Sequence, residues 1–357
     1  MPDIKKFPNI IEAMKYLEPG HLLTQCLERD GVAINYQTNM PVSMPDGRIA
    51  LLCPSPNPNY YRGENGVYPS CKSSLYRIPK REDQICALAK TYEFMCFLLT
   101  LGEVQAYLYH NLWYDPWAIA QHYEFATPMI DLTHEIAVAA FFATHRYDRV
   151  TKSYQLMREG VGQIRWIIQP PMMPQDPNLC PIGVQPFSRP SNQYGYGYWI
   201  PEDDDFKNHS ELIQFEQDYQ VNYRLKTAMT GPETMYFPNE KIAQMASIIK
   251  NENVITNHAI DIFIQDIEDG NTYITPAPSR DEILDILNQK FYPFRYGPVY
   301  SAHLLEIIQK KCTDTLMVQR IQELVNIEQN VRNVAAHNIV SVTPEWIKER
   351  TGKSVDD

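Results

Sequence analysis

Residues 120–145 read AQHYEFATPMIDLTHEIAVAAFFATH. Polar and small residues crowd into an otherwise apolar run, a poor recipe for mere core. After Pro128, Met129-Ile130-Asp131-Leu132 predicts a short strand, and Thr133 is placed to cap a helix running from Glu135 to about His145. Ala137, Ala140 and Phe141 would form the packed face of that helix. A strand, a turn and a helix bearing Asp131 and Thr133 make the wall of a pocket, provided that another segment supplies the opposite wall.

Two upstream segments are suited to that role. Tyr60-Tyr61-Arg62-Gly63-Glu64 places an arginine and a glycine where a strand ends, and Ser73-Ser74-Leu75-Tyr76-Arg77 follows. Residues 10–23 have helical spacing, 33–58 read as short strands around a Pro45-Asp46-Gly47 turn, and 81–109 as one or two core helices carrying Leu88, Phe94, Phe97, Leu98 and Leu101. Residues 163–169 and 194–200 are strand candidates, and the Pro-, Asn- and Gln-rich stretch 170–190 reads as an irregular connection. Helical patterns dominate from Lys241, interrupted at Thr275-Pro276-Ala277-Pro278-Ser279.

The expected fold class is α+β, a mixed N-terminal domain followed by an all-α helical bundle. A boundary between about 245 and 280 divides the chain into an extension over 1–50, a central domain over 51–250 and a helical domain over 251–357. Segments 281–290, 300–311, 315–336 and 343–350 would build the bundle, with Thr343-Pro344-Glu345 as a helix start.

The 357 residues carry a net charge of -11, which argues against nucleic-acid binding by bulk attraction but leaves room for a local basic pocket. Seven scattered cysteines lack zinc-site spacing and read as the reduced thiols of a cytoplasmic protein. The first residues lack the apolar core of a secretory signal, and no stretch approaches the length of a membrane span.

Taken in order, these segments resemble the FRG domain, named for a Phe-Arg-Gly signature that stands here as Tyr61-Arg62-Gly63. The likeness runs through Ser74-Leu75-Tyr76-Arg77, Gln121-His122-Tyr123, Thr127 and Asp131-Leu132-Thr133 to Ala140-Phe141-Phe142-Ala143, over about residues 50–200. Tyr61 replaces the eponymous phenylalanine, and Glu124 stands where the family usually has glycine.

The FRG family is in turn similar to NAD-dependent ADP-ribosyltransferases. That resemblance implies NAD as a substrate, with Arg62, Thr133 and Gln193 as catalytic positions and Arg62, Gly63, Gln121, His122 and Asp131 around the nucleotide. A guanidinium binds pyrophosphate bidentately, a hydroxyl fixes the nicotinamide, and a carboxylate stabilises oxocarbenium character. Gln193 supplies no charge, and Glu124 and Glu202 are the acids available to replace it. Ordinary structural roles compete at every position: Arg62 paired with an acid, His122 buried on a carbonyl, Asp131 or Thr133 as a helix cap, Gln193 as a core amide.

Near the C-terminus, Glu328-Gln329-Asn330-Val331-Arg332-Asn333-Val334-Ala335-Ala336-His337 resembles the Arg-x4-His signature of HEPN ribonucleases, including CRISPR-associated ones. The resemblance implies metal-independent RNA cleavage: Arg332 stabilises charge on the phosphate, His337 moves protons and Asn333 orients one of them. Five helical residues turn by about 140 degrees, so convergence of the two side chains needs a bend or a second subunit, and a homodimer is implied. The plain alternative is an Arg332–Glu328 surface pair with His337 at a helix end.

The expectation is therefore a toxin or antiviral defence effector that transfers ADP-ribose to a macromolecular acceptor, RNA, DNA or protein, with an antitoxin or sensor protein as partner and no membrane. Two other readings stand beside it. One is a HEPN-type RNase with the FRG domain as sensor, and the other a non-enzymatic ligand-binding and dimerisation module.

Overall fold

A computed structural model describes residues 4–21, 40–44, 46–52, 58–148, 150–151, 153–169, 176–229, 236–237, 240–253 and 255–291. Arg332, Asn333, His337 and the bundle segments predicted beyond 291 lie outside the described residues.

The described chain is α+β, as expected, and its centre is a seven-stranded sheet. In chain order the strands are β1 (Lys5–Phe7), β2 (Met40–Ser43), β3 (Ile49–Leu52), β4 (Asn59–Glu64), β5 (Met129–Thr133), β6 (His145–Asp148), β7 (Ser153–Leu156), β8 (Val161–Ile168), β9 (Leu179–Pro181), β10 (Gly195–Trp199) and β11 (Glu211–Glu216). The large sheet has the order β1-β11-β8-β4-β5-β10-β9, antiparallel except for the β1/β11 pair, and β2/β3 and β6/β7 form separate hairpins.

The sheet is nearly two half-sheets. β4 pairs with β8 over six residues but meets β5 at a single pair, Tyr61 opposite Thr133. Beyond that point β4 and β5 part, and the ladder bonds between them are replaced by a side chain: Arg62 Nη1 donates to the Asp131 carbonyl at 3.1 Å.

Ten helices are described: α1 (Ile10–Leu17), α2 (Arg81–Leu98), α3 (Gly102–Tyr109), α4 (Pro116–His122), α5 (Ile136–Thr144), α6 (Ser188–Asn192), α7 (Tyr219–Ala228), α8 (Lys241–Asn251), α9 (Asn257–Glu268) and α10 (Arg280–Phe291). The 81–109 stretch, expected as one or two helices, is two, α2 and α3, bent by 73° at their junction. No single helix among the described residues is long and apolar enough to cross a membrane.

The opening stretch folds as β5, a turn and α5. One expectation is corrected: the N-cap of α5 is Glu135, whose carboxylate accepts from Ala137 N, while Thr133 Oγ1 accepts from Glu135 N at 3.0 Å. Glu135 wins because the strand continues through Thr133 to pair with Tyr61, so the helix starts two residues later. Strand alternation then sorts β4: Tyr61 and Gly63 turn toward α5, while Tyr60, Arg62 and Glu64 turn the other way. Tyr61 accordingly joins the core of α1, α5, α7 and β11, and Tyr60 joins Ile130, Leu132, Tyr196 and Tyr198 on the opposite face.

Helix α2 has two partners. Phe94, Phe97 and Leu98 pack with Ile119, Tyr123, Phe125 and α8, whereas Ile85, Leu88 and Tyr92 pack with Ile260, Phe263, Ile283 and Leu287 of α9 and α10. Polar contacts fix the second face: Tyr92 stacks on Phe263 at 5.0 Å, Glu93 accepts from the backbone and hydroxyl of Thr256 at 2.9 and 2.7 Å, and Arg81 pairs with Glu282 at 2.7 Å. Cys71, Cys86, Cys96 and Cys180 carry free thiols.

Candidate active site

Where β4 and β5 part, a cleft of about 160 Å³ opens under α5. Its walls include Arg62 and Gly63 from β4, Asp131 and Thr133 from β5, His122 from the end of α4, and Gln193. Side chains from four separate segments, each singled out on sequence grounds, thus share one cavity. Tyr61, Leu132, Val138, Ala139 and Phe142 complete an apolar lining.

Each polar member is held by identifiable contacts. Arg62 donates from Nη1 to Asp131 O and from Nε to Glu64 Oε1 at 3.4 Å, which leaves Nη2 as the edge without a protein partner among the described residues. Glu64 is shared: Arg165 Nε and Gln163 Nε2 reach its other oxygen at 3.2 and 2.6 Å. Burial raises the Glu64 carboxyl, but Arg62, Gln163 and Arg165 outweigh it and hold the pKa below the usual range. The acid-pairing alternative for Arg62 is therefore real, and it coexists with a place in the cleft.

Asp131 is the one carboxylate in the inner cleft lining among the described residues. Gln121 Nε2 donates to Asp131 Oδ2 at 3.2 Å, and Oδ1 is buried without a hydrogen-bond partner among the described residues. Gln121 is anchored in turn. Its Oε1 accepts from the hydroxyls of Ser74, at 3.2 Å, and Thr127, while Thr127 N donates to Ser74 Oγ at 3.0 Å. Ser74, Gln121, Thr127 and Asp131, scattered in sequence, are one hydrogen-bonded clamp, and Gln121 stands behind Asp131 as its positioning residue.

His122 is buried, and burial lowers its pKa; Asp131 pulls the other way and nearby Arg189 adds to the lowering, so the ring is neutral at pH 7. Gln193 sits on the turn after α6, just before β10, and not on the later strand that the resemblance implies. Its Nε2 donates to Tyr236 O at 2.9 Å, a commitment that fixes the side chain. Glu124 pairs with Lys250 at 2.8 Å, and Glu202 receives the Thr275 N–H at 2.8 Å; neither lines the cleft.

Through Arg62, Gly63 and Phe142 the inner cleft adjoins an outer one of about 420 Å³, lined also by Glu64, Lys72 and Arg77. Glu64 and Arg77 were absent from the sequence-derived site. The available signal for Glu64 was its i, i+2 spacing from Arg62, which puts both side chains on one face of a strand.

Three comparisons bear on this geometry. Residues 57–152 match the family model of the FRG domain, and residues 241–357 match that of the Cas_Csm6 HEPN domain. The chain carries both domains, with β4, β5, α5 and the clamp inside the first match and Arg332, Asn333 and His337 inside the second. This pairing points to a defence-related effector. No curated protein matches the chain, and no solved structure does.

Proposed function

We propose that the FRG domain uses NAD to transfer ADP-ribose to a macromolecule in antiviral defence, with the inner cleft as its active site. The observation that carries this reading is the convergence of Arg62, His122, Asp131 and Thr133 on one cavity whose carboxylate keeps an unsatisfied oxygen. The residues present fit the substrate's chemistry. The free edge of Arg62 suits a pyrophosphate. The orphan Asp131 Oδ1 suits a ribose hydroxyl, because a buried acceptor gains a bond worth about 1–3 kcal/mol when a donor arrives. Small-molecule sites span roughly 300–1,000 Å³, so a dinucleotide needs the outer cleft of about 420 Å³ as well as the inner one.

In the reaction the bond between the ribose anomeric carbon and nicotinamide breaks, nicotinamide leaves with the electron pair, and the acceptor bonds to the same carbon as it loses a proton. Asp131 supplies the negative charge that Gln193 lacks and stabilises the cationic ribose. Thr133 offers a hydroxyl to the leaving group, and His122, held neutral, is able to take the acceptor's proton. Val138, Ala139 and Phe142 give one side of the cleft an apolar lining, which disfavours competing water beside the reacting carbon.

The test is transfer of label from NAD to protein, RNA and DNA by wild type and by Arg62→Ala. Transfer lost in the variant supports the reading; absence of transfer by wild type to all three acceptor classes overturns it.

A second reading is favoured by the Cas_Csm6 HEPN match, which contains Arg332, Asn333 and His337. Here a homodimer cleaves RNA at the C-terminal site and the FRG domain senses the trigger. RNA cleavage by His337→Ala equal to wild type excludes it.

A further inference from the structure

A third cleft, of about 530 Å³, shares Tyr154 with the outer one. The floor of this third cleft is the β6/β7 hairpin, the loop after it and the exposed side of α7. Its charge is unlike that of the rest of the chain. Arg62, Lys72, Arg77, Arg146, Arg158 and Lys226 line the two outer clefts, against two acids, Glu64 and Glu159. With Arg62 and Glu64 set aside as a pair, five cations line the two clefts against one acid, in a chain of net charge -11.

Tyrosine rings line the same two clefts as these cations. Tyr68, Tyr147 and Tyr223 are 47%, 41% and 53% exposed, so part of each ring is open to solvent at these clefts. Tyr147 lies 5.1 Å from Tyr154, Tyr219 lies 6.3 Å from Tyr223 in a stacked arrangement, and the Arg158 guanidinium stands 4.8 Å from the Tyr219 ring. Adjoining clefts lined by cations and part-exposed flat rings carry the chemistry that holds a single strand, cations on the phosphates and rings on unpaired bases. A duplex hides its base faces and gains nothing from the rings, and an acidic peptide has no planar group to stack on them.

We propose that this groove binds single-stranded nucleic acid and leads it to the inner cleft, so that the strand is the ADP-ribose acceptor. Binding follows from the groove itself; the acceptor role rests on the transferase reading above. The groove's own residues Arg158, Tyr223 and Lys226 stand apart from the inner cleft.

The experiment is fluorescence anisotropy of a labelled 12-nucleotide single strand, RNA and DNA, with duplex DNA and a poly-glutamate peptide as competitors, on the full chain. Wild type binds the single strand with a log K against log salt slope of about -2 to -3, that of three or four phosphates neutralised on a single strand. Arg158→Ala/Lys226→Ala flattens the slope by about 1.4, and Tyr223→Ala weakens binding about tenfold at every salt concentration. Equal or better competition by duplex or poly-glutamate overturns the proposal, as does binding indifferent to all three substitutions. NAD turnover is followed in parallel. Transfer to protein with no strand binding overturns the groove and leaves the transferase standing. Strand binding intact in Arg62→Ala, with no NAD consumed by wild type, overturns the transferase and the acceptor role and leaves the groove standing.

Discussion

A Cβ added to Gly63 would stand 1.8 Å from the carbonyl oxygen of Ala139 and 2.8 Å from Ala143 N. Helix α5 lies directly on the main chain of β4, and the alanines of residues 137–143 are what permit that approach. The glycine of the Tyr61-Arg62-Gly63 signature is thus a packing requirement. The expected outcome for Gly63→Ala is a loss of at least about 3 kcal/mol, at or beyond the upper end of ordinary overpacking because the obstacle is backbone. Ala139→Gly should fail to rescue it, since the clashing atom is main chain; thermal unfolding of the two variants and their combination checks both statements.

Asp131→Asn preserves the oxygen that Gln121 holds and removes the charge. Stability should change by less than about 1 kcal/mol, since Oδ1 has no partner to lose among the described residues. On the transferase reading proposed above, NAD-dependent transfer should fall about 100- to 1,000-fold, the scale of a lost electrostatic stabiliser. Single-turnover transfer together with urea titration measures the two effects separately.

His134 is buried with its ring edge-on to Tyr194 and Tyr196 at 5.3 and 5.6 Å, and burial, opposed by Glu135, takes its pKa from 6.5 to about 4. The folded pKa is the lower one, so the neutral ring's contribution is complete above pH 6.5 and is lost as pH falls toward about 4. The loss should amount to about 3 kcal/mol across that window. His134→Phe should reduce the difference in unfolding free energy between pH 7 and pH 4.5; an unchanged difference would assign the acid lability to other groups.

Glu124 has φ 66, a left-handed conformation that costs a side-chain-bearing residue about 1–2 kcal/mol. Its pair with Lys250 returns little, because the Glu124 side chain is 66% exposed. Glu124→Gly is expected to raise stability by up to about 1 kcal/mol, while Glu124→Ala, which keeps the strain and loses the pair, should be neutral or slightly worse. Melting temperatures of the two variants separate backbone strain from side-chain loss.

Much of this was legible in the chain itself. Period-two and helical patterns located β5, β8 and β10, Asp46 and Gly47 of the expected turn lie between β2 and β3, and the ordered polar residues named Arg62, His122, Asp131, Thr133 and Gln193, which now share a cleft. What local pattern could not convey was the reason they meet. The parting of β4 and β5 after one pair is set by non-local pairing, and no property of residues 59–64 alone encodes it. The clamp of Ser74, Gln121 and Thr127 behind Asp131 is hidden for the same reason, since each of those residues is an ordinary loop or helix polar group until the fold brings them together. Thr133 illustrates the opposite error: as a helix cap it satisfied every local preference, yet a single cross-strand partner, Tyr61, kept it in the strand.

Helix α2 lies inside the FRG match, yet one of its faces is covered by α9 and α10, which lie inside the HEPN match. The border drawn by ancestry is therefore not a border in the physics of folding. A chain cut near residue 250 would not release a finished N-terminal domain; it would strip the cover from Ile85, Leu88 and Tyr92. On the same helix Thr91 Oγ1 donates to Ala126 O, beside Thr127 and the clamp on Asp131. Two inherited modules have become neighbours that share a wall, and the described helices of the second are part of what keeps the first one's cleft in shape.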